Sequence, residues 1–282
     1  MVTICYPLFF FDDIFQNKVS KIMHFTEKVA FITGAGSGIG RATALLFAKE
    51  GARIAALDYG QEKAQEIAKQ IQQVGGEAIA VVADISKPEQ VQQAVQTTVD
   101  TFGRIDIVFA NAGINGVWAA IEELSPEEWD QTIDINLKGT FLTVKYAVPY
   151  LKRQGGAVII TSSANGTRMF SNTGATAYAC TKAAQVAFTK MLALELAKHK
   201  IRVNVICPGA IETNIDSSTE QQDLEAVKEP VEFPKGMIPL TDGESGTSEQ
   251  VAQLVLFLAS DMANHISGTE IWIDGAQSLL QG

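Results

Sequence analysis

From Lys28 onward, short apolar runs alternate with longer amphipathic stretches. The runs Val29–Thr33, Arg53–Asp58, 77–82, 105–111, 157–161, 202–207 and Glu270–Ile273 are rich in Val, Ile and Ala, with little polar alternation. Such runs suit parallel strands buried on both faces. Between them, 39–50, 61–74, Pro88–Phe102, 126–134, 136–154, 177–199 and Ser248–Ala259 read as helices. The order predicts βαβ units and an α/β fold: one domain with a doubly wound parallel sheet of about seven strands and helices on both faces. Gly51, Gly75, Gly76 and Gly103 mark helix ends, while Ser86 before Pro88 and Ser125 before Pro126 mark helix starts.

Two stretches break the rhythm. The segment 210–246 is long and polar and contains Pro230, Pro234 and Pro239. Loops of that length are usually functional or disordered. It follows a strand's C-terminal end, where open α/β sheets bind ligands, so a substrate lid is the favoured reading. Residues 1–22 include an apolar run from Tyr6 to Phe11, too short to span a membrane and without the flanks of a secretory signal. We expect 1–22 to be a poorly ordered extension preceding a working domain over 23–282, with Met23 as its start.

Composition narrows the function. The 282 residues carry a net charge of −10, with 46% hydrophobic and 19% charged residues. That is a globular composition, and no basic stripe offers itself to nucleic acid. No membrane partner is expected. Three cysteines (Cys5, Cys180, Cys207) without CxxC spacing point to a reducing, cytoplasmic compartment. Cys180 and Cys207 read as packing residues. Three scattered histidines give no ligand cluster, so no metal is expected.

Tyr178 and Lys182 in AYACTKAA lie four residues apart, on one face of a helix. A nearby ammonium favours phenolate and lowers a phenol's pKa from about 10 toward the working range. Alone, the pair is ordinary for a solvated helix face; its company makes it informative. Strand Val29–Thr33 runs into Gly34-Ala-Gly-Ser-Gly-Ile-Gly40 and a helix, with glycines at 34, 38 and 40. Such a turn lets backbone approach a pyrophosphate at a helix N-terminus, the phosphate cradle of a Rossmann-type fold. Asp58 ends the second strand, where an acid accepts from adenosine ribose hydroxyls. A 2′-phosphate there would meet like charge, and Ser37 and Tyr59 beside it are not basic. NAD rather than NADP is the expected cofactor.

The chain resembles the short-chain dehydrogenase/reductase family. TGAGSGIG ending at Gly40, NAG at Asn111, INLKGTF around Asn136, ITSS ending at Ser163, YACTK from Tyr178 and PG at Pro208 appear in the family's order. The match runs from Lys28 to Leu280. It implies strand order 3-2-1-4-5-6-7 and a homotetramer. Position by position, it implies that Gly34, Ser37, Gly38, Ile39 and Gly40 hold the cofactor with Asp58. Asp84 would contact the adenine, and Asn111, Ala112 and Gly113 would shape the adenine-ribose pocket. Pro208, Gly209, Ile211 and Thr213 would lie at the nicotinamide, Thr213 at its carboxamide. Asn136 would hold a relay water, or else cap a helix. Ser163 would hydrogen-bond the substrate oxygen, with Ser162 as the alternative. Tyr178 would transfer the proton, and Lys182 would bind the nicotinamide ribose.

The implied reaction moves a hydride between NAD and a secondary alcohol or ketone, a small-molecule partner. A 3-oxoacyl-carrier-protein reductase is the alternative, and an inactive nucleotide-binding regulator a lesser one. Seven acids against Lys228 between Glu212 and Pro234 disfavour docking of an acidic carrier. Ser163 and Tyr178 are 15 residues apart, about two more than in many members. The extra residues are expected to bulge within 164–177 and reshape the pocket. Trp118, Met169 and Phe170 are candidate apolar walls, and Arg168 a candidate anion contact.

Overall fold

The computed structural model describes residues 25–227 and 237–281. Its seven-stranded sheet is built from β1 (Val29–Thr33), β2 (Arg53–Asp58), β3 (Ala78–Val82), β4 (Ile107–Ala110), β6 (Gly156–Thr161), β7 (Ile201–Pro208) and β9 (Glu270–Ile273). All neighbours are parallel, in the order β3-β2-β1-β4-β6-β7-β9. This is the implied 3-2-1-4-5-6-7 topology. The chain reverses its direction of travel across the sheet between β1 and β4, so a crevice opens at their C-terminal ends.

Apolar strands demand cover on both faces. On one face, α1 (Gly38–Lys49), α2 (Gln61–Gln73) and α7 (Ser248–Ala259) bury Phe47, Ile67, Ile71, Val251 and Val255 against Ile32, Ile54 and Phe109. On the other, α3 (Pro88–Phe102), α5 (Gly139–Leu151) and α6 (Thr176–Ala197) bury Val91, Val95, Leu142, Leu151 and Leu196 against Phe31, Val108, Val158 and Val205. Asp106, just before β4, is buried; it accepts from Val29 N–H at 3.0 Å and pairs with Arg104 and Lys28. Those bonds pin the base of the central strands.

Three features depart from the pattern reading. The helices expected over 126–134 and 136–154 form one rod. Within it, α4 (Pro126–Ile133) passes through a π-helical turn, Asp134–Lys138, directly into α5. Such turns concentrate at functional sites, and this one holds Asn136. Ser125 caps α4 in a capping box with Glu128 as expected, but Ser86 bonds Asp84 and leaves α3 without a side-chain cap. Finally, β5 (Gly116–Trp118) and β8 (Thr219–Gln221) form a second, two-stranded parallel sheet. Runs of three residues carry no readable period, which is why the sequence did not announce them.

The segment 1–22 lies outside the described residues, as does 228–236 within the long polar stretch. The rest of that stretch is made of single turns at Ile215–Ser218, Leu224–Ala226 and Pro239–Thr241, plus β8. Among the described residues, no helix is long and apolar enough to cross a membrane.

Candidate active site

A cleft of about 980 Å³ runs along the C-terminal ends of the strands. One end is the turn after β1. Gly34 and Gly38 adopt φ of 66° and 50°, conformations that a side chain would strain. Gly40 has a different job. A Cβ there would stand 2.0 Å from the Gly34 carbonyl oxygen, so its hydrogen lets α1 pack on its own entry turn. Gly40 is buried behind the residues that line the cleft. Gly40→Ala should therefore destabilise the fold by roughly 1–3 kcal/mol, the usual range for overpacking. It should also spoil the turn for nucleotide. Urea unfolding together with a fluorescence titration of NAD tests both, and wild-type behaviour in each contradicts the assignment.

Asp58 reaches back to this turn. One carboxylate oxygen accepts from Gly36 N–H and the other from Gly60 N–H, each at 3.0 Å. A carboxylate has about four acceptor sites, so roughly two remain for ribose hydroxyls. Lys63 also lines this end, its stem lying against Gly36 and Gly60. Sequence inspection overlooked it by weighing chain neighbours. Five residues after Asp58, it is brought back by the first turn of α2. Asp84 lines the adjoining wall and accepts from the Ser86 hydroxyl at 2.7 Å.

Asn111 ties three strand ends together. Its backbone N–H donates to Thr33 Oγ1 at 3.0 Å, its side-chain N–H₂ donates to the Thr33 carbonyl, and its oxygen accepts from Thr161 Oγ1. Ala112 and Gly113 continue the wall. Opposite them stand Pro208, Gly209, Ile211 and Thr213 at the exit of β7, with Ser37, Gly38 and Ile39 across from Thr213. A Cβ on Gly38 would stand 3.3 Å from the Thr213 side chain.

At the other end α6 delivers Tyr178 and Lys182. The Ser163 hydroxyl is close enough to the phenol to favour its ionised form. Ser163 Oγ also accepts from Asn165 N–H at 3.1 Å. Ser162 is turned away and donates to the Lys182 carbonyl at 2.7 Å, so Ser163 is the serine that faces Tyr178. Lys182 Nζ donates to the Thr161 carbonyl at 3.0 Å and lies 5.3 Å from the Tyr178 ring centroid. Asn136 stands behind, fully buried: its oxygen accepts from Ile114 N–H at 2.8 Å, and its N–H₂ donates to the Ile114 carbonyl and Thr181 Oγ1. It caps no helix. Its own carbonyl accepts from Thr140 Oγ1 and Gln185 Nε2.

The electrostatics correct one expectation. The ammonium was expected to pull the phenol's pKa down. Instead burial raises the Tyr178 pKa, opposed in part by the Ser163 hydrogen bond, and burial also lowers Lys182 to about 8. The ammonium sits over the ring and is held by the Thr161 carbonyl, so desolvation dominates both groups.

The extra residues between Ser163 and Tyr178 fold away from the cleft, and none of 164–177 lines it. Arg168 and Met169 N–H groups turn back onto the Ala164 carbonyl. The Arg168 guanidinium lies 3.5 Å from the Trp272 ring centroid, Met169 is buried, and Phe170 faces solvent. Arg168 as an anion contact and Trp118, Met169 and Phe170 as pocket walls are thereby corrected. Cys207 is buried as expected, with its thiol pushed up to about 11, whereas Cys180 is exposed rather than packed.

Comparison with known proteins bears on this arrangement. A family model described as enoyl-(acyl carrier protein) reductase matches residues 34–276. The chain belongs to the short-chain dehydrogenase/reductase family. A solved 3-ketoacyl-ACP reductase from Sinorhizobium meliloti 1021 is 56% identical with a TM-score of 0.86, over 89% of this chain and 99% of that one. Cyclohexanol dehydrogenase from Acinetobacter sp. is 40% identical over 92% of this chain and 98% of its own. A 3-ketoacyl-(acyl-carrier-protein) reductase from Brucella melitensis, solved with NADH, is 33% identical with a TM-score of 0.80, over 90% and 99% of the two chains. This short-chain dehydrogenase/reductase is thus a nicotinamide-dependent oxidoreductase of alcohols and ketones.

Proposed function

We propose that this short-chain dehydrogenase/reductase is NAD-dependent and that Tyr178, Ser163 and Lys182 carry its chemistry. The observation behind the reading is the Tyr178–Ser163 hydroxyl contact beside Lys182, in the same cleft as the glycine turn and Asp58. A dinucleotide suits the other end. Ser37 makes no side-chain cap bond, which leaves the first N–H groups of α1 free for phosphate oxygens. When bound, the nicotinamide supplies the hydride acceptor or donor.

The chain's own groups handle the proton. In oxidation Tyr178 takes it from the substrate hydroxyl; in reduction it returns it. Ser163 Oγ is held by Asn165 N–H, so its one hydrogen, given to the phenol oxygen, passes to the substrate oxygen on which charge gathers when substrate binds. Lys182 presents its ammonium to the nicotinamide ribose and to the phenolate. Asn136 is a positioning residue: its bonds tie the backbone after β4 to α6, and its carbonyl already has two donors in place of a relay water. The described parts of 210–246, among them β8 seated on β5, serve as a lid.

Asp58 favours NAD, since a like-charge contact at 4 Å costs roughly 4 kcal/mol at an effective dielectric of about 20. Lys63 trims that penalty without pairing directly with Asp58 among the described residues. The expected result is a kcat/KM for NAD about tenfold to hundredfold above that for NADP, followed by nicotinamide absorbance. A tenfold preference for NADP sinks the assignment.

A second reading, a 3-oxoacyl-carrier-protein reductase, draws on the 56% identical relative. Against it, the lid from Glu212 to Val227 holds five acids and no base, an unwelcoming surface for an acidic carrier. The outer faces of α5 and α6 leave Phe141, Met191 and Leu194 exposed, the last by 83%, which supports a homotetramer. The cytoplasm is the compartment consistent with the free thiols of Cys180 and Cys207.

A further inference from the structure

Ser163 lies just past the end of β6, where the sheet has stopped on one side. The N–H groups of Ser162 and Ala164 still donate to the Ile206 and Pro208 carbonyls of β7, each at 2.8 Å, but β4 ends at Ala110, opposite Ile160. Backbone groups alternate sides along a strand, so the Ser163 carbonyl points to the side that β4 has left. There the Thr167 hydroxyl replaces the ladder, donating to the Ser163 carbonyl at 2.6 Å. Asn165 N–H holds Oγ of the same serine at 3.1 Å. Both anchors belong to one tight turn, 164–169, closed by Gly166 N–H on the Met169 carbonyl and by Arg168 and Met169 N–H on the Ala164 carbonyl.

That turn is itself fixed from two further sides. Gly166, at φ 85°, packs on Ala179, the residue after Tyr178; a Cβ there would stand 2.4 Å from the Ala179 carbonyl oxygen. This contact registers the serine loop against the helix that carries the phenol. From β9, Trp272 stands in register with Cys207 and donates its indole N–H to Thr167 Oγ1 at 3.3 Å. A threonine hydroxyl has one hydrogen and accepts through its lone pairs. With the indole donating to that oxygen, the hydrogen is directed at the carbonyls of Ser163 and Ala164. The Arg168 guanidinium lies 3.5 Å from the centroid of the same indole and holds its plane.

We infer that Trp272 and Thr167 are positioning residues that set where the Ser163 hydroxyl meets the substrate oxygen, with Arg168 steadying the indole. The inference rests on the oxidoreductase reading above and deepens it. Neither side chain lines the cleft, so both act through Ser163. A misplacement of about 1 Å at a reacting group can cost about a hundredfold in rate, so a partial loosening of this serine is measurable.

The test uses the full chain with cyclohexanol and NAD in one direction and ethyl acetoacetate and NADH in the other. Trp272→Phe keeps a ring under Arg168 and removes the N–H donor; Thr167→Val keeps the shape and removes the hydroxyl. Each should lower kcat by about tenfold while NAD affinity stays within about twofold, and Thr167→Ser should stay near wild type. In a Ser163→Ala background the same two substitutions should cost less than about twofold, because the residue through which they act is gone. Equal losses in both backgrounds mean a merely structural role and overturn the inference, as does wild-type kcat in Trp272→Phe and Thr167→Val. The link is also read without substrate. The indole N–H NMR signal that vanishes in Trp272→Phe should shift in Thr167→Val and hold its place in Thr167→Ser. An unmoved signal in Thr167→Val overturns the inference whatever the rates. If Ser163→Ala itself keeps wild-type rates, the role given to Ser163 in the oxidoreductase reading falls, and this inference with it.

Discussion

Tyr178→Phe should lower turnover by about a thousandfold, within the usual contribution of a positioned acid–base group. The substitution keeps the ring beneath which Lys182 lies, 5.3 Å from the centroid, and it keeps Ser163 anchored by Asn165 N–H. NAD affinity should therefore stay within about threefold of wild type, a change under 1 kcal/mol. The separation of the two effects is the signature: a lost proton path with an intact nucleotide site. The pH profile adds a second readout. Burial raises the phenol's pKa, so the phenolate needed for oxidation becomes scarcer at neutral pH. Oxidation by the wild type should climb with pH while reduction declines, and the residual rate of Tyr178→Phe should lose that slope. If the variant keeps more than a tenth of wild-type turnover, Tyr178 is not the acid–base group.

Much of this site could be read from residue order because each part depends on a local spacing. The strands were legible because parallel strands buried on both faces need continuous Val, Ile and Ala, as in Val29–Thr33 and Arg53–Asp58. Tyr178 and Lys182 share a helix face by their spacing alone. What escaped depends on distance in space. Lys63 joins the Asp58 end of the cleft because α2 brings its stem against the Gly36 backbone, and nothing in the local sequence marks that approach. The π-helical turn at Asn136 looked like a break between helices because an extra residue in a turn shifts the apolar phase. Arg168 looked available to a ligand until β9 supplied Trp272, more than a hundred residues later. The sign of the Tyr178 shift was missed for a related reason. Proximity of two residues along a helix says that charges interact, but burial, which a spacing cannot report, decides which way each pKa moves.

Lys182→Met should damage function while relieving the fold. The ammonium is buried, and burial lowers its pKa from 10.5 to about 8. At pH 7 both folded and unfolded chains hold the proton, so folding carries the whole burden of burying the charge, roughly 3 kcal/mol for a shift of that size. Methionine removes this burden but leaves the Thr161 carbonyl without its 3.0 Å donor, a loss of roughly 1–3 kcal/mol. The net expectation is a variant at least as stable as wild type, although turnover drops by about a hundredfold and NAD binds about tenfold more weakly. The pH dependence of stability identifies the cause. Above pH 8 the folded chain releases the lysine proton while the unfolded chain still holds it, so wild-type stability should rise with pH. Cys207, raised from 9.0 to about 11 by burial, works in the opposite sense above pH 9. The clean window is therefore pH 8 to 9, where the gain is roughly 1 kcal/mol. Urea unfolding at pH 7, 8 and 9 should show that rise in the wild type and none in Lys182→Met. A variant that is less stable than wild type at pH 7 and keeps the rise would mean that the lysine is a structural strut, placed for packing rather than for chemistry.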